Sequence, residues 1–393
     1  MPKLLQINVT SNWGSTGKIA ESIALAATKK GWECYTAYGR MLNPSKTHLI
    51  KVGNKIDTYI HYVYDRLFDM EGRASVASTK RLIKQIDQLN PDIVHLHNIH
   101  DHFLNYKILF GYLNHTDIKV VWTFHDCWAF TGHCYHFVEY NCDKWKTCCN
   151  VCPDRHKFCD RSKENFFLKK SLFLECKNLT IVPCSHWIAN IVKESFLKDK
   201  RIEVIHNGVD LNIFRPLKNT KNRNNNVFRI IAVSNVWKAY KGLYDIFKLR
   251  EILPSEYEIT IVGLKKEQLK DLPNGIRGIT RTDNVQQLVE LYNDSDVLIN
   301  PTYADTFPTV NLESLACGTP VITYNTGGSS EAVSQQTGVV IEQGDINGLA
   351  NSIVQMRDNP LSSENCRARA IDFFDKEKCF NRYVLLYESL CSE

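Results

Sequence analysis

The stretch ADTFPTVNLESLACGTPVITYNTGGSSE runs from residue 304 to residue 331 and places two carboxylates, Asp305 and Glu313, eight residues apart. Ionised carboxylates accept hydrogen bonds well from the paired hydroxyl groups of a sugar. A helix opens between them, and the backbone N–H groups and peptide dipoles of a helix start favour phosphate. The residues at this helix start are Phe307, Pro308, Thr309 and Val310. The stretch therefore predicts a site for a sugar nucleotide.

Short apolar runs alternate with amphipathic segments through the first half of the chain. In chain order they read LLQINV, KIAESIALAATKK, ECYTAYG, SVASTKRLIKQIDQLN, DIVHLHN and KVVWTFH. Strand-like and helix-like periods that alternate in this way predict βαβ units and a parallel sheet. Because ligands bind at the carboxyl ends of such strands, we expect ligand-binding loops there.

A polar segment, LKNTKNRNNN (217–226), separates this series from a second one that begins at Val227. The segment has no apolar period and has the composition of a linker. The second series includes FRIIAVS, KGLYDIFKLREIL, EITIVG, DVLINP and PVITYN, which predicts a second Rossmann-like domain. The terminal RAIDFFDKEKCFNRYVLLYESL is amphipathic with an aromatic stripe, which we interpret as packing into a core.

Composition excludes several classes of protein. The chain has 393 residues and 44% hydrophobic content, enough for two domains with sizeable cores. No apolar run approaches the roughly 20 residues that span a bilayer, and no signal peptide precedes LLQINV, so we expect a cytoplasmic protein. The formal net charge of +5 is spread along the sequence, which disfavours a nucleic-acid surface.

The segment TYIHYVYDRLF (58–68) is rich in aromatic residues and has basic neighbours. We favour packing into a core for this segment, with contact to an acceptor molecule as a second role. Docking on lipid is the alternative. Peripheral association with the inner face of the plasma membrane therefore stays open.

Seven of the fourteen cysteines fall within residues 127–159. In a reducing compartment such clustering favours metal binding over disulfides. Cys149 and Cys152 form a CxxC pair, and Cys134 and Cys142 supply two further thiolates for a tetrahedral, structural zinc site. A set of buried or free thiols is the alternative interpretation.

Seven segments follow one another in an order that resembles a known family. They are NWGSTGKIAESIA (12–24), PDIVHLHN (91–98), TFHDCW (123–128), VPCSHWIANIV (182–192), VIHNGVDLNIFRP (204–216), KGLYDIF (241–247) and SDVLINPTYADTFP (295–308). With the carboxylate pair of 304–331, they resemble the EX7E signature of retaining, nucleotide-sugar-dependent glycosyltransferases of the GT-B fold, family 4 type. These are the group 1 glycosyltransferases of bacterial capsule, O-antigen and colanic-acid-like polysaccharide synthesis.

The resemblance implies an α/β protein with two Rossmann-like domains that face a cleft, and a C-terminal helix that crosses back to the first domain. On this basis we predict an N-terminal, acceptor-side domain at 1–213, with a cysteine-rich insertion at 127–159 and the C-terminal helix at 371–393. A linker at 214–226 leads to a nucleotide-sugar-binding domain at 227–370.

Lys241 is the expected phosphate ligand. Negative charge develops on the leaving phosphate during sugar transfer, so the protein must supply a cation there. Lys241 begins a predicted helix and resembles the family lysine that binds the diphosphate; a solvated surface lysine is the alternative. The family arginine five residues earlier is replaced by Val236. Lys238 and Tyr240 are the candidates to compensate, although lysine lacks the forked geometry of arginine.

The resemblance also implies roles for other side chains. Asp305 stands where the family more often has Glu and would contact hydroxyls of the donor sugar, while Glu313 would hold the ribose. His125, at a strand end, would contact the sugar near its primary hydroxyl. Glu331 would contact the ribose or the base, unless it is simply an acid near a helix start.

Gly14 and Gly17 belong to GSTGK, which follows a strand and opens a helix. The spacing is not that of a Walker A motif. We interpret it as a glycine loop that allows close backbone approach to the donor and acceptor, with a plain strand-to-helix turn as the alternative. His95 and His97 share one face of a strand, but we expect them to close the strand rather than to bind a metal.

The resemblance predicts a metal-independent, retaining hexosyltransferase with no cofactor in catalysis. Such an enzyme would move a sugar from a UDP- or GDP-sugar to a hydroxyl of a glycan or lipid-linked saccharide in surface polysaccharide synthesis. The leaving phosphate would accept the proton of the acceptor. A non-catalytic partner subunit that binds a nucleotide sugar, and a GT-B epimerase, are the alternatives.

Overall fold

The structure, a computed structural model, describes residues 1–153, 158–218 and 226–393. These residues form two compact units. Unit 1 comprises Met1–His206 and Cys379–Glu393, and unit 2 comprises Asn207–Lys378. Each unit contains one parallel sheet flanked by helices, as the alternating apolar pattern predicts.

The units and the predicted domain limits differ slightly. Unit 1 ends at His206, where the sequence places the limit at 213, and it resumes at Cys379, where the sequence begins the C-terminal helix at 371. Residues 219–225 of the predicted linker and residues 154–157 of the predicted insertion lie outside the part of the chain that the structure describes.

Unit 1 is built on a parallel sheet. The strands assigned within its described residues are β1 (Lys3–Asn8), β2 (Glu33–Tyr38), β3 (His48–Lys51), β4 (Ile93–Leu96), β5 (Lys119–Phe124), β6 (Leu179–Pro183) and β7 (Arg201–Ile202), in the spatial order β3-β2-β1-β4-β5-β6-β7. The central strand β1 pairs with β2 and β4, so that Leu4 lies beside Cys34 and Ile93. Strands covered on both faces need continuous apolar runs, which explains the pattern LLQIN.

The helices before residue 207 cover this sheet. They are α1 (Gly14–Lys29), α2 (Lys55–Phe68), α3 (Val76–Leu89), α4 (Tyr106–Leu113), α5 (Ser162–Glu175) and α6 (His186–Glu194). Helix α1 buries Ile19, Ile23 and Ala27, which recur every four residues and therefore share one face. The apolar spacing of KIAESIALAATKK thus places this helix against the sheet.

Unit 2 repeats the design with a second parallel sheet. Its described strands are β8 (Phe228–Val233), β9 (Tyr257–Val262), β10 (Ile276–Ile279), β11 (Val297–Asn300), β12 (Val321–Tyr324) and β13 (Gly338–Ile341), in the order β10-β9-β8-β11-β12-β13. Its helices are α7 (Leu243–Ile252), α8 (Val285–Asp294), α9 (Thr309–Ala316), α10 (Ile346–Asp358) and α11 (Ser363–Phe373).

The C-terminal helix α12 (Lys376–Ser392) packs into the core of unit 1, which confirms the predicted crossing. Its aromatic stripe is buried, and Tyr383 and Tyr387 reach polar groups of the sheet. Thr123 Oγ1 donates to Tyr383 Oη at 3.1 Å, and Tyr387 Oη lies 2.6 Å from His95 Nδ1. The aromatic residues therefore serve the core, as the sequence predicts.

Helix α2 contradicts the favoured interpretation of 58–68 as a core segment. The buried residues of this helix are His61 and Asp65, whereas its apolar residues face solvent. The exposed set is Ile56, Tyr59, Ile60, Tyr62, Tyr64, Leu67 and Phe68. His61 is held by Ser75 Oγ at 2.8 Å and by the N–H of Gly72 at 2.8 Å. These inward polar bonds turn the apolar side chains outward.

No helix in the described ranges combines the length and the apolar character needed to cross a bilayer.

Replacing Tyr387 with Phe should lower the free energy of unfolding by about 1–3 kcal/mol, because a buried ring nitrogen of His95 would lose its partner. The measurement is urea denaturation followed by near-ultraviolet circular dichroism. Leu385→Ala is the matched control, since Leu385 lies on the same helix and is 63% exposed; its effect should stay within about 0.5 kcal/mol. Equal effects of the two changes would contradict the assigned contact.

Candidate active site

The strand order of unit 2 reverses between β8 and β11, and ligands of parallel sheets bind where the following loops diverge. The segment after β8 holds Lys241 at the end of a short helical turn, Ala239–Lys241. The loop after β11 holds Asp305. The fold therefore brings together two predicted site residues that lie 64 positions apart in the sequence.

Lys241 and Asp305 form an ion pair. Lys241 Nζ lies 2.5 Å from Asp305 Oδ2, and the two side chains are 22% and 19% exposed. A lysine ammonium has three hydrogen-bond donors. Its contact with one oxygen of Asp305 therefore leaves donors of Lys241 for a further anion. A phosphate that reached Lys241 would lie directly beside a carboxylate that accepts hydrogen bonds from sugar hydroxyls.

The position of Lys241 depends on the glycine that follows it. Gly242 has a φ of +73°, and a Cβ at this position would lie 2.0 Å from the backbone oxygen of Pro301. Both the left-handed backbone and the close approach exclude a side chain. Tyr303 also donates its N–H to Tyr240 O at 2.7 Å. Backbone contacts therefore fix the Lys241 turn against the segment after β11.

The glycine pair after β12 supports Asp305. A Cβ on Gly327, whose φ is +57°, would lie 1.8 Å from Asp305 O. The N–H of Gly328 donates to the same oxygen at 3.2 Å. The two glycines thus have a structural reason that does not involve a ligand.

The start of α9 corrects one part of the prediction. Pro308 has no N–H group, and Phe307 donates its own to Asp305 Oδ1 at 3.3 Å. Thr309 and Val310 occupy the first turn of α9, where N–H groups have no partner within the helix. The predicted anion-binding groups therefore narrow to the N–H groups of Thr309 and Val310.

The remaining acids of unit 2 are held by different contacts. Glu313, on α9, accepts a hydrogen bond from Tyr292 Oη at 3.0 Å. Burial and this carboxylate raise the pKa of Tyr292 well above its ordinary value, so the phenol stays a donor. Glu331 lies in the turn Ser330–Ala332, where its backbone oxygen accepts from Arg369 at 2.9 Å. The ligand roles of both acids stay predictions.

A buried polar cluster next to α9 was missed by sequence reasoning. Asn311 donates to Ser329 O at 3.1 Å and accepts from Asn300 at 2.9 Å. The Thr323 hydroxyl donates to Asn300 O at 2.9 Å and lies 2.6 Å from Ser329 Oγ. The cluster joins α9 to β11, β12 and the glycine turn. A single asparagine in the apolar run VNLESL was its only signal.

Where the family has an arginine, the chain has Val236, and two lysines lie beside the ring of Tyr240. Val236 is 44% exposed and offers no charge. Lys238 Nζ and Lys241 Nζ lie 5.7 and 5.6 Å from the ring centroid of Tyr240. Which of Lys238 and Tyr240 compensates for the arginine stays a prediction.

The strand order of unit 1 reverses between β1 and β4, and the predicted glycine loop follows β1. Gly14 has a φ of +66°, and no atom lies within 4 Å of the place where its Cβ would be. A Cβ on Gly17 would meet Thr10 Oγ1 at 2.7 Å. The space beside Gly14 is thus open, whereas Gly17, on α1, must lack a side chain because Thr10 packs against it.

His125 follows β5 and ends a chain of buried hydrogen bonds. Gln6 Nε2 donates to Ala20 O at 2.8 Å, so Gln6 Oε1 accepts from His97 Nε2 at 2.7 Å. His97 Nδ1 then accepts from His125 Nε2 at 3.1 Å. Burial lowers the pKa of His125 to about 4. His125 is therefore neutral at pH 7 and is suited to a hydroxyl group rather than to a phosphate.

The motif HDCW contains a second pair that the sequence did not reveal. His100 Nε2 lies 2.8 Å from Asp126 Oδ2, and Trp128 N donates to Asp126 Oδ1 at 2.9 Å. Burial alone would lower the pKa of His100, but the Asp126 carboxylate raises it above its ordinary value. Burial alone would raise the pKa of the Asp126 carboxyl, but the neighbouring His100 lowers it below its ordinary value. A charged pair thus follows β4 and β5 beside neutral His125.

Two of the four predicted zinc ligands, Cys134 and Cys152, lie at metal-ligand spacing, together with a histidine. Cys134, Cys142, Cys149 and Cys152 line one pocket. Among the described residues, ligand atoms of Cys134, Cys152 and His133 lie within 4.8 Å of one another, whereas Cys142 and Cys149 do not belong to this group. His133 does not line the pocket. His133 was not predicted. His95 and His97 stack with ring centroids 4.0 Å apart, and neither belongs to such a group among the described residues.

The predicted residues thus fall into two sets. Unit 2 gathers Lys241, Asp305, Glu313, Glu331 and the start of α9, and unit 1 holds Gly14, Gly17 and His125. The structure brings Lys241 and Asp305 into direct contact. What the other residues bind stays a prediction.

Two family models match the chain. One, described as Glycosyltransferase Family 4, matches residues 18–213, and the other, described as Glycosyl transferases group 1, matches residues 227–359. Together the two models cover most of both units. They confirm the resemblance that the seven ordered segments predict.

Two curated proteins and one solved structure illustrate what this chain is similar to. The chain is 24% identical to the putative colanic acid biosynthesis glycosyl transferase WcaC of Escherichia coli K12, over 98% of this chain and 100% of that protein. It is 27% identical to an Escherichia coli UDP-Gal:alpha-D-GlcNAc-diphosphoundecaprenol alpha-1,3-galactosyltransferase, over 50% of this chain and 56% of that protein. The solved sucrose-phosphate synthase of Thermosynechococcus elongatus superposes with a TM-score of 0.76 at 16% identity, covering 100% of both chains. This likeness confirms the predicted GT-B fold class.

Replacing His125 with Asn should reduce the pH dependence of stability between pH 6.5 and pH 4 by the share of one histidine, while His61, His95 and His97 keep theirs. The unfolded histidine takes up a proton below its ordinary pKa of 6.5, whereas the folded one stays neutral until about 4. The stability it contributes is therefore complete above pH 6.5 and is lost as the pH falls, by about 1.4 kcal/mol per pH unit.

Urea denaturation at pH 7, 6 and 5 measures this slope for both chains. His115→Asn is the control, because His115 is exposed on the segment that follows α4. The control should keep the wild-type slope. An unchanged slope in His125→Asn would show that His125 is protonated in the folded state.

Proposed function

Since the chain belongs to the family 4 and group 1 glycosyltransferases, we propose that it transfers a hexose-type sugar from a UDP- or GDP-sugar to a glycan hydroxyl in surface polysaccharide synthesis. We further propose that the transfer retains the anomeric configuration and needs no metal ion. The observation that carries the proposal is the contact between Lys241 and Asp305, where the strand order of unit 2 reverses.

The ion pair suits both halves of a nucleotide sugar. The Lys241 ammonium stabilises negative charge on the diphosphate as the glycosidic bond breaks, and Lys238 adds a second cation nearby. The N–H groups of Thr309 and Val310 add the positive end of the α9 dipole. Asp305 accepts hydrogen bonds from sugar hydroxyls, and Glu313 accepts them from the ribose. Unit 2 therefore supplies the donor site in this proposal.

We propose that retention proceeds without an enzymic nucleophile. The carboxylate that would act as a nucleophile, Asp305, already neutralises Lys241 and accepts the N–H of Phe307. In the proposed step the leaving phosphate accepts the proton of the acceptor hydroxyl, while that oxygen bonds to the anomeric carbon on the same face. His125, which is neutral, orients a sugar hydroxyl and holds no charge.

The relatives inform the choice of donor and acceptor. The galactosyltransferase from Escherichia coli has UDP-Gal and a diphosphoundecaprenol-linked sugar in its name. We therefore rank a UDP-sugar before a GDP-sugar and propose a lipid-linked acceptor. Helix α2 supports the second point, because its exposed Ile and Tyr side chains form an apolar face that suits the lipid interface.

Lys241→Ala and Glu313→Ala should each remove the thermal stabilisation that the correct nucleotide gives the wild-type chain, since a ligand that binds the folded state raises its melting temperature. A panel of UDP, GDP and their common sugars identifies the donor class. Lys241→Ala should also lower kcat/KM by about 100-fold to 1000-fold, the usual cost of losing a group that stabilises developing charge.

Lys248→Ala is the matched control for this panel, because Lys248 is exposed on α7 and follows Lys241 by two helical turns. It should bind donor like the wild-type chain. No shift with any nucleotide would refute the donor site. Donor binding without transfer to any acceptor would favour the non-catalytic subunit.

The stereochemical proposal has its own test. Proton NMR of a fresh reaction should show the anomeric coupling of the donor preserved in the product. Activity should be the same with added Mg²⁺ and after brief treatment with EDTA, because Lys241 and the α9 N–H groups replace a metal at the diphosphate. An inverted product, or activity that returns only with Mg²⁺, would contradict the mechanism.

Ile60→Ser combined with Tyr64→Ser should weaken binding to vesicles that contain phosphatidylglycerol by about tenfold, since two apolar side chains would leave the interface. Co-sedimentation measures the bound fraction. Tyr244→Ser is the control, because Tyr244 is 65% exposed but lies in unit 2. Equal binding by all three chains would exclude α2 as the lipid contact.

A further inference from the structure

The cysteine-rich segment that follows β5 brings together three side chains of the kind that bind metals. Ligand atoms of His133, Cys134 and Cys152 all lie within 4.8 Å of one another, and the three residues are buried. None of them belongs to the donor site of unit 2. The segment thus contains a cluster that sugar transfer does not explain.

The two thiols are spaced for a shared ion. Cys134 Sγ lies 3.4 Å from Cys152 Sγ. This distance is far longer than the roughly 2.0 Å of a disulfide bond. Two thiolates on one tetrahedral zinc ion, each about 2.3 Å from the metal, lie about 3.8 Å apart. The observed spacing is therefore close to that of a zinc site.

His133 provides the second, independent observation. Its Nδ1 lies 2.9 Å from Asp69 Oδ2, and its side chain is only 5% exposed. Its Nε2 is buried, and the ring interacts with the Cys152 side chain on this side. A carboxylate that accepts from one ring nitrogen commonly fixes the tautomer of a metal-binding histidine. The Asp69 contact thus leaves the lone pair of Nε2 for a metal.

We choose Cys149 as the fourth ligand, although its Sγ does not lie within 4.8 Å of all three other ligand atoms. It lines the same pocket as Cys134 and Cys152, and it is the CxxC partner of Cys152. Its Sγ accepts the N–H of Gly132 at 3.2 Å, which ties it to the residue before His133. Cys142 also lines the pocket but is less buried.

We propose that His133, Cys134, Cys149 and Cys152 bind one structural zinc ion. Three thiolates and one imidazole form a closed tetrahedral set of the kind that structural zinc sites use. The proposal replaces Cys142 of the four-thiolate prediction with His133. It concerns the fold of unit 1 and is independent of the donor site.

The zinc would join three parts of unit 1. Asp69, which follows α2, accepts from His133 and also from the N–H of Arg161 at 2.8 Å. Arg161 directly precedes α5, and Asn165 on α5 donates to Asp69 O at 2.8 Å. The ion would thus fix the segment after β5, which begins at His125, to the end of α2 and the start of α5.

The metal content of the full chain is the first test. Protein purified under reducing conditions without added metal should contain about one zinc ion per chain by plasma mass spectrometry. Exchange with Co²⁺ should give the intense visible bands of a tetrahedral ion and a strong sulfur-to-cobalt band in the near ultraviolet. Protein that binds neither zinc nor Co²⁺ would overturn the proposal, as would a Cys134–Cys152 disulfide in the native chain.

Single substitutions then test the ligand set. Cys152→Ser and Cys149→Ser should lose zinc or shift the cobalt spectrum to fewer thiolates. Cys148→Ser is the matched control, because Cys148 neighbours Cys149 but does not line the pocket. It should keep both zinc and the spectrum, and so should Cys142→Ser.

His133→Gln and Asp69→Asn separate the direct ligand from the residue that positions it. The first should shift the cobalt bands, while the second should weaken zinc binding about tenfold to 100-fold and leave the bands in place. Circular dichroism of each chain identifies variants that do not fold. Loss of metal in Cys142→Ser together with an unchanged spectrum in His133→Gln would overturn this ligand set.

Discussion

The backbone contacts of Gly242 and Gly327 hold Lys241 beside Asp305, and the geometry around this ion pair depends on them. An ion pair that solvent reaches contributes only about 0–1 kcal/mol, so it stabilises the fold very little. Its value is positional, because Gly242 and Gly327 hold the two loops through backbone contacts that no side chain would allow. In the proposed function, an incoming phosphate would compete with Asp305 for a lysine that is already in place.

In unit 1, one row of buried polar side chains is satisfied by hydrogen bonds between neutral groups. Gln6, His97 and His125 form one hydrogen-bonded row, and His95 joins the same region to Tyr387 on α12. Burial lowers the pKa of these histidines below the ordinary value, so the row stays neutral. The neighbouring His100–Asp126 pair, in contrast, is charged.

The sequence predicts what depends on the order of elements and misses what depends on direction and on distant partners. Lys241 and Asp305 were foreseeable because each follows a strand, and parallel strands end at one edge. The outward apolar face of α2 could not be predicted, because the periodicity of the sequence indicates an amphipathic helix but does not show which of its faces is buried. That direction is set by contacts of His61 with Ser75 and Gly72. His133 was missed because its partner, Asp69, is far away in the sequence.

Helix α12 has a consequence for biosynthesis. Phe380, Tyr383 and Tyr387 belong to the core that also contains Leu4 of the first strand, yet the ribosome makes them after all of unit 2. Domains generally fold as they emerge, the first one before the second. Here the first sheet leaves the ribosome before α12 has been made, so the core of unit 1 stays incomplete until unit 2 has been synthesised. The nascent chain would therefore expose an apolar surface to chaperones throughout translation of unit 2.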